Sequence, residues 1–123
     1  MISDFLYVAF GGAIGAMARY GISLLPIKSA FPILTLCTNF LGALVIGFVT
    51  GLASANPSFP QKWTLFLKTG VCGGFTTFST FSLEALTLLE QHKYLPGISY
   101  ILLSVVLCLA GVYAGRAVSM LLP

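Results

Sequence analysis

Charged side chains are scarce in this sequence. Its 123 residues include six Lys or Arg, three Asp or Glu and one His, so that charged residues make up only 7% of the chain. Hydrophobic residues make up 58%, and the mean hydropathy of +1.00 lies well above the range of soluble domains. This composition argues against a soluble domain and against a basic surface for nucleic acid, and it predicts a membrane protein.

Groups that perform enzyme chemistry are equally few. The single histidine, His92, lies in a predicted loop without a paired acid or nucleophile motif, and no metal-ligand spacing or phosphate-binding loop occurs. Cys37, Cys72 and Cys108 are far apart and fall within apolar runs. We interpret them as small packing residues and predict neither a disulfide framework nor an enzyme.

Apolar runs of about 20 residues can cross a bilayer as helices. The sequence contains four: Phe5 to Leu25, Ile33 to Ala53, Trp63 to Leu89 and Leu95 to Leu122. Because these runs occupy nearly all of the chain, we predict one all-α membrane domain with four transmembrane helices and no soluble domain. The segment before the first run contains Asp4 and no basic residue, which favours a membrane helix over a cleaved signal peptide.

Basic residues are divided evenly between the two sides of the membrane. Alternating spans place Lys62, Lys68 and Arg116 on the side of the N-terminus and Arg19, Lys28 and Lys93 on the other. Because Lys and Arg normally favour the cytoplasmic side, this tie is compatible with insertion in both orientations.

Each predicted span carries two glycines at a spacing of four residues. The pairs are Gly11 and Gly15, Gly47 and Gly51, Gly70 and Gly74, and Gly111 and Gly115. Such pairs let helices approach closely, so we predict a tightly packed bundle. A single bundle of four helices is small for enclosing a water-filled passage, so we expect the chain to self-associate.

Polar residues inside the spans are costly unless a partner or a wet path satisfies them. Arg19, near the end of the first span, either extends to the headgroups or attracts anions to a vestibule. Asn39, one or two turns inside the second span, either joins two helices or donates to a passing anion. Tyr100, Ser104 and Cys108 recur every four residues and form either a polar track or interhelical contacts.

The third span contains the sequence GGFTTFSTF, from Gly73 to Phe81. Adjacent glycines weaken a helix, so we predict that the third helix is broken near its middle and exposes backbone groups there. Phe78 and Phe81 share a helical face, which indicates either packing or, because ring edges are positive, an anion path. The neighbouring hydroxyls either donate to an anion or bond to the preceding turn.

Carboxylates are too few for one class of transporter. Proton-coupled exchangers usually need an intramembrane carboxylate, and Glu84 is the one candidate among the three acids. Its position one turn beyond Phe81 favours a hydrogen-bonding role near a pore mouth.

The whole chain resembles, in the same order, the small fluoride channels called Fluc or CrcB. The resemblance is carried by GGAIGAMARY in the first span, by TNFLG around Asn39 and, most specifically, by GVCGGFTTFSTFS from Gly70 to Ser82. It implies a multi-pass protein of the bacterial cytoplasmic (inner) membrane that assembles as an antiparallel homodimer. Two fluoride pores and a sodium ion buried at the dimer centre are implied with it, so the expected partners are fluoride, lipid and a second copy.

The resemblance also implies roles for individual residues. The backbone carbonyls of Gly73 and Thr76 from each copy would hold the sodium ion, and Arg19 would be the vestibule cation. The pore would be lined by Asn39, Phe78, Phe81, Ser79, Thr80, Tyr100 and Ser104. Cys108 departs from the pattern, because some family members continue the polar track with Ser at this position.

We therefore expect a fluoride-selective channel that exports fluoride passively and lowers its cytoplasmic concentration. Fluoride is small and strongly hydrated, so several donors at close range must replace its water. One alternative is a dual-topology exporter that works by alternating access; its distinguishing feature would be a central carboxylate in the first span, which this sequence lacks. The other is a structural membrane subunit without transport of its own.

Overall fold

Apolar helices joined by short loops make up the computed structural model, which describes residues 1–122. The order is α1 (Ile2–Ser23), α2 (Ile33–Ala55), α3, α4 (Phe78–Glu90) and α5 (Tyr94–Ser119). α3 consists of a short α-helical turn, Gln61–Thr64, a π-helix, Leu65–Cys72, and a last α-helical piece, Gly73–Phe75. No strand occurs among the described residues, and the predicted all-α class is confirmed.

Helices α1, α2 and α5 are each long and apolar enough to cross a membrane. The third apolar run is divided between α3 and α4 by Thr76 and Thr77, whose ψ angles of 157° and 111° are those of extended backbone. The chain is therefore an all-helical, multi-pass membrane protein, and its third apolar run is interrupted, as predicted.

The interruption lies later than the glycine pair at which we predicted it. Gly73 and Gly74 are still helical, and a Cβ added at Gly74 would lie 3.1 Å from the Ala16 amide nitrogen of α1. Gly74 therefore provides close contact between helices and does not break one. The backbone leaves the helix at Thr76 and Thr77, whose hydroxyls bond to backbone groups and so compete with the helical pattern.

The glycine pairs bring α1 against α3 and α2 against α5. A Cβ at Gly15 would lie 2.8 Å from the Phe75 amide nitrogen, and one at Gly47 would lie 2.9 Å from the Val112 backbone. No side chain fits at such distances, so the predicted close approach is confirmed at these positions. The π-helix, which no feature of the sequence predicted, packs against α1 around Gly11.

Candidate functional site at the helix break

Asn39 of α2 holds the break between α3 and α4. Its Nδ2 donates to the Thr77 carbonyl (3.1 Å), and its Oδ1 accepts the Thr77 amide N–H (2.8 Å). The side-chain amide thus replaces both partners that an uninterrupted helix would supply to Thr77. Asn39 does join two elements, and one of its two N–H groups takes no part in this clamp.

The clamp changes which carbonyls at the break have helical partners. In a continuous α-helix the Thr77 amide would donate to the Gly73 carbonyl, and the Thr80 amide would donate to the Thr76 carbonyl. Here the first amide donates to Asn39 and the second to Thr77 Oγ1 (3.1 Å). The carbonyls of Gly73 and Thr76 therefore lack the amides that the helical pattern would direct to them.

The carbonyl of Gly74, between these two positions, is bound by a side chain. Arg19 Nε of α1 donates to it at 3.2 Å, and Arg19 is half-buried. Arg19 is therefore anchored to the break and does not simply extend to the headgroups. Its guanidinium has further N–H groups that this single bond does not use.

A cavity of about 130 Å³, which we call the vestibule, lies between α1, α2 and α4 on the Arg19 side of the break. Its polar lining consists of Arg19, Ser23, Thr35, Thr38, Thr77, Thr80 and Glu84. The hydroxyls of Ser23, Thr35 and Thr77 already donate within the chain. The unused N–H groups of Arg19 and the hydroxyls of Thr38 and Thr80 can stabilise an anion that enters from the loop end of α1.

Glu84 connects three helices at the wall of the vestibule. Its Oε1 accepts from Thr35 Oγ1 of α2 (2.8 Å), and its Oε2 accepts from the Oη of Tyr100 of α5 (2.7 Å). Tyr100 is fully buried, with an exposed fraction of 0%. The predicted hydrogen-bonding role of Glu84 is confirmed, whereas the part played by Thr35 was missed because only the fold brings it to α4.

A larger concave region of about 460 Å³, which we call the groove, lies on the other side of the Asn39 clamp. Its lining combines the break with α2 and α5 and includes Asn39, Lys68, Gly73, Thr76, Phe78, Phe81, Ser104 and Cys108. Thr77 lines both the groove and the vestibule. The two cavities therefore meet at the residue that Asn39 clamps.

The two phenylalanines of the groove differ in their surroundings. Phe81 is only 9% exposed and packs against Tyr100, with ring centroids 5.2 Å apart. Phe78 lies 5.5 Å from Phe81, measured between ring centroids, but is 79% exposed. One ring is thus part of the core, and the other projects from the surface of the single chain.

The remaining predicted pore residues differ in whether they line one of the two cavities. Ser104 lines the groove, and its Oγ is buried without a hydrogen-bond partner in the described part of the chain. Thr80 lines the vestibule and accepts from Thr77 Oγ1 (2.9 Å). Ser79 is exposed and, like Tyr100, is absent from the lining of both cavities. The pore assignments of Ser79 and Tyr100 stay predictions.

Comparison with known proteins points to one family. Residues 6–116 match the family described as CrcB-like protein, Camphor Resistance (CrcB). A relative from Ruminiclostridium cellulolyticum is 47% identical over 112 residues, which cover 89% of this chain and 86% of that protein. Relatives from Methanococcus maripaludis and Paracoccus denitrificans are each 44% identical, and the matched segments cover at least 95% of either protein and of this chain.

All three relatives are named fluoride-specific ion channel FluC. The match to the family covers all but the first residue of the first apolar run, the Asn39 region, the interrupted third element and most of α5. The three relatives are 44–47% identical to this chain, and the matched segments cover at least 89% of it. The chain therefore belongs to the CrcB-like family.

Proposed function

We propose that this chain forms a fluoride-selective channel that exports fluoride passively across the cytoplasmic membrane. The clamped break carries this proposal, because it lies where a vestibule lined by a cation and hydroxyls meets a groove lined by aromatic rings. The relatives of nearly equal length, which bear the name of such a channel, support it. No chemical reaction is part of this function.

The groove favours a second copy of the chain as its cover. Gly73, Lys68 and the ring of Phe78 are exposed there, on an outer face of the helices. Hydrocarbon tails cannot satisfy an ammonium group or free backbone carbonyls. A second copy could satisfy them and could close the groove into a passage, so we propose a homodimer with the breaks at its centre.

An antiparallel arrangement suits both the charges and the break. Three basic residues on each side of the membrane give neither orientation an advantage. A two-fold axis in the membrane plane near the break would bring the Gly73 and Thr76 carbonyls of both copies together. We propose this arrangement in preference to a parallel dimer, in which both copies would have the same orientation in the membrane.

The carbonyls of Gly73 and Thr76 fit a structural sodium ion. Both residues line the groove, and both carbonyls lack their helical amides. No residue outside the adjoining backbone of the same helix comes within 4 Å of a Cβ built at Gly73. Unwound backbone carbonyls are typical sodium ligands in membrane proteins. Two carbonyls from each copy would hold the ion, which would supply a fixed positive charge that joins the two copies.

We assign the fluoride path to donors that carry no full charge of their own. The spare N–H of Asn39, the unpartnered hydroxyl of Ser104 and the ring edges of Phe78 and Phe81 border the groove, and Thr80 borders the vestibule. Several weak donors can replace the water of a small anion without trapping it. Arg19 would raise the local concentration of anions at the entrance.

Outflow then needs only the ion gradient and the membrane potential, which is worth about 2.3 kcal/mol per charge per 100 mV. Alternating access with proton coupling has less support. Glu84, the acid on the vestibule wall, accepts a hydrogen bond at each of its oxygens and joins three helices. A carboxylate with this structural role is poorly placed to load and unload protons.

The decisive experiment is ion efflux from liposomes that contain the purified protein. Vesicles are loaded with fluoride or with chloride, the potential is clamped with a potassium ionophore, and anion release is followed with selective electrodes. We expect rapid release of fluoride and retention of chloride. Absence of fluoride release, equal release of both anions, or release that requires a proton gradient would overturn the proposal.

A further inference from the structure

Cys108 lies in the groove and is not a buried packing residue. It is half-buried and lines the groove together with Ser104, which lies one helical turn earlier on α5. Ser104 is 7% exposed, and its Oγ has no hydrogen-bond partner among the described residues. A buried hydroxyl without a partner indicates that this part of the groove receives something other than the side chains of its own chain.

The other two cysteines differ from Cys108 in their surroundings. Cys37 is exposed on α2 but is absent from the lining of the groove. Cys72 contributes to the lining but is only 2% exposed, on the π-helical part of α3. Among the three thiols, Cys108 alone both lines the groove and is accessible in the single chain.

We propose that Cys108, beside the unpartnered hydroxyl of Ser104, is a modification site for small, neutral, thiol-directed electrophiles, and that its modification closes the ion path. This inference rests on the proposed channel function for its effect on transport, but not for the modification itself. Neutral reagents are specified because Lys68 gives the lining of the groove a positive charge, which disfavours the entry of cationic reagents.

The chemistry is a sulfenyl transfer from a reagent such as methyl methanethiosulfonate. The sulfur of Cys108, as thiolate, attacks the sulfenyl sulfur of the reagent. A new S–S bond forms as the S–SO₂ bond breaks, methanesulfinate leaves with the electron pair, and the thiol proton passes to water. The product is a mixed disulfide with one methylthio group on Cys108, and a dithiol reductant reverses it.

The added group would act on the ion path in two ways. It occupies part of the groove next to Ser104, and it replaces a weak S–H donor by a group that cannot donate. Because a dehydrated anion needs continuous donors at close range, we expect fluoride efflux to fall by about tenfold or more.

The test uses the full-length protein in liposomes, treated with methyl methanethiosulfonate and assayed for fluoride efflux. Each variant is compared with its own untreated sample, and the modified cysteine is located by mass spectrometry of peptides. The wild type and a Cys37→Ser/Cys72→Ala double variant are both expected to gain a methylthio group on Cys108 and to lose efflux. Dithiothreitol should restore it, and Cys108→Ser should be insensitive to the reagent.

Three results would overturn the inference: Cys108 stays unlabelled, Cys108 is labelled while efflux is unchanged, or Cys108→Ser is inhibited as strongly as the wild type. If the double variant does not fold, the wild type and Cys108→Ser decide between these outcomes. Failure of the proposed function looks different, because the untreated wild type would then release no fluoride whether or not Cys108 is labelled.

Discussion

Replacement of Asn39 by alanine is expected to loosen the helix break. The change removes the two hydrogen bonds at 3.1 and 2.8 Å that satisfy the Thr77 carbonyl and amide. Hydrogen bonds inside membrane proteins average about 0.6 kcal/mol each, whereas an orphaned buried polar group costs about 1–3 kcal/mol. Two bonds at about 0.6 kcal/mol each give about 1 kcal/mol, and two orphaned groups at the middle of the second range, about 2 kcal/mol each, give about 4 kcal/mol. We therefore expect Asn39→Ala to lower the free energy of unfolding by about 1–4 kcal/mol.

Thermal unfolding in detergent measures the effect on stability, and fluoride efflux from liposomes measures the effect on transport. A loss of this size corresponds to a fall in Tm of about 5–15 °C for a chain of this length. If the break also positions the groove, efflux should fall by about tenfold or more, which requires only about 1.4 kcal/mol in the barrier.

A matched control is available in the same chain. Asn56 also accepts a backbone N–H, that of Ser58, at 3.0 Å, but it lies in an exposed loop. Asn56→Ala should leave both Tm and efflux close to those of the wild type. If Asn39→Ala gives the same Tm and efflux as Asn56→Ala, the clamp has no role in holding the break.

Three further substitutions test other contacts. Glu84→Gln should lower the free energy of unfolding by about 1–2 kcal/mol, because an NH₂ group then faces a hydroxyl donor. Glu90→Gln, at an exposed position, should leave it unchanged, and equal unfolding curves for the two variants would refute this. Gly47→Val should lower the free energy of unfolding by about 2 kcal/mol or more by overpacking α2 on α5. Gly21→Val should not, because no residue from another part of the chain lies within 4 Å of its Cβ position; equal Tm values for the two variants would contradict this. Phe81→Ile should abolish efflux without dissociating the proposed dimer, as checked by size-exclusion chromatography, and normal conduction would exclude a role for the ring edge.

The helices and their close contacts were predictable because both depend on local properties of the chain. Apolar length is enough to place a crossing helix. Glycines four residues apart remove side chains from one face whatever the partner helix is, as Gly11 and Gly15 do against α3. Neither inference requires knowledge of which residues meet across the bundle.

The position of the break was not predictable in the same way. The glycine pair suggested it, but the chain leaves the helix at Thr76 and Thr77, and Asn39 holds it there from 38 residues away in sequence. The contact of Glu84 with Thr35 and Tyr100 has the same origin, because three helices supply one residue each. Local periodicity carries no information on such partners.

The pairing of the helices also constrains the order in which the chain assembles. α1 packs chiefly against α3, and α2 packs chiefly against α5, so neither principal contact joins neighbours in sequence. During synthesis, α1 cannot make its main contact until the segment from Gln61 onward has been made. α2 cannot make its main contact until almost the entire chain has been made. The first two helices therefore spend the early part of biogenesis in lipid without their partners. Truncation before Tyr94 should leave α2 without the helix against which its glycines fit.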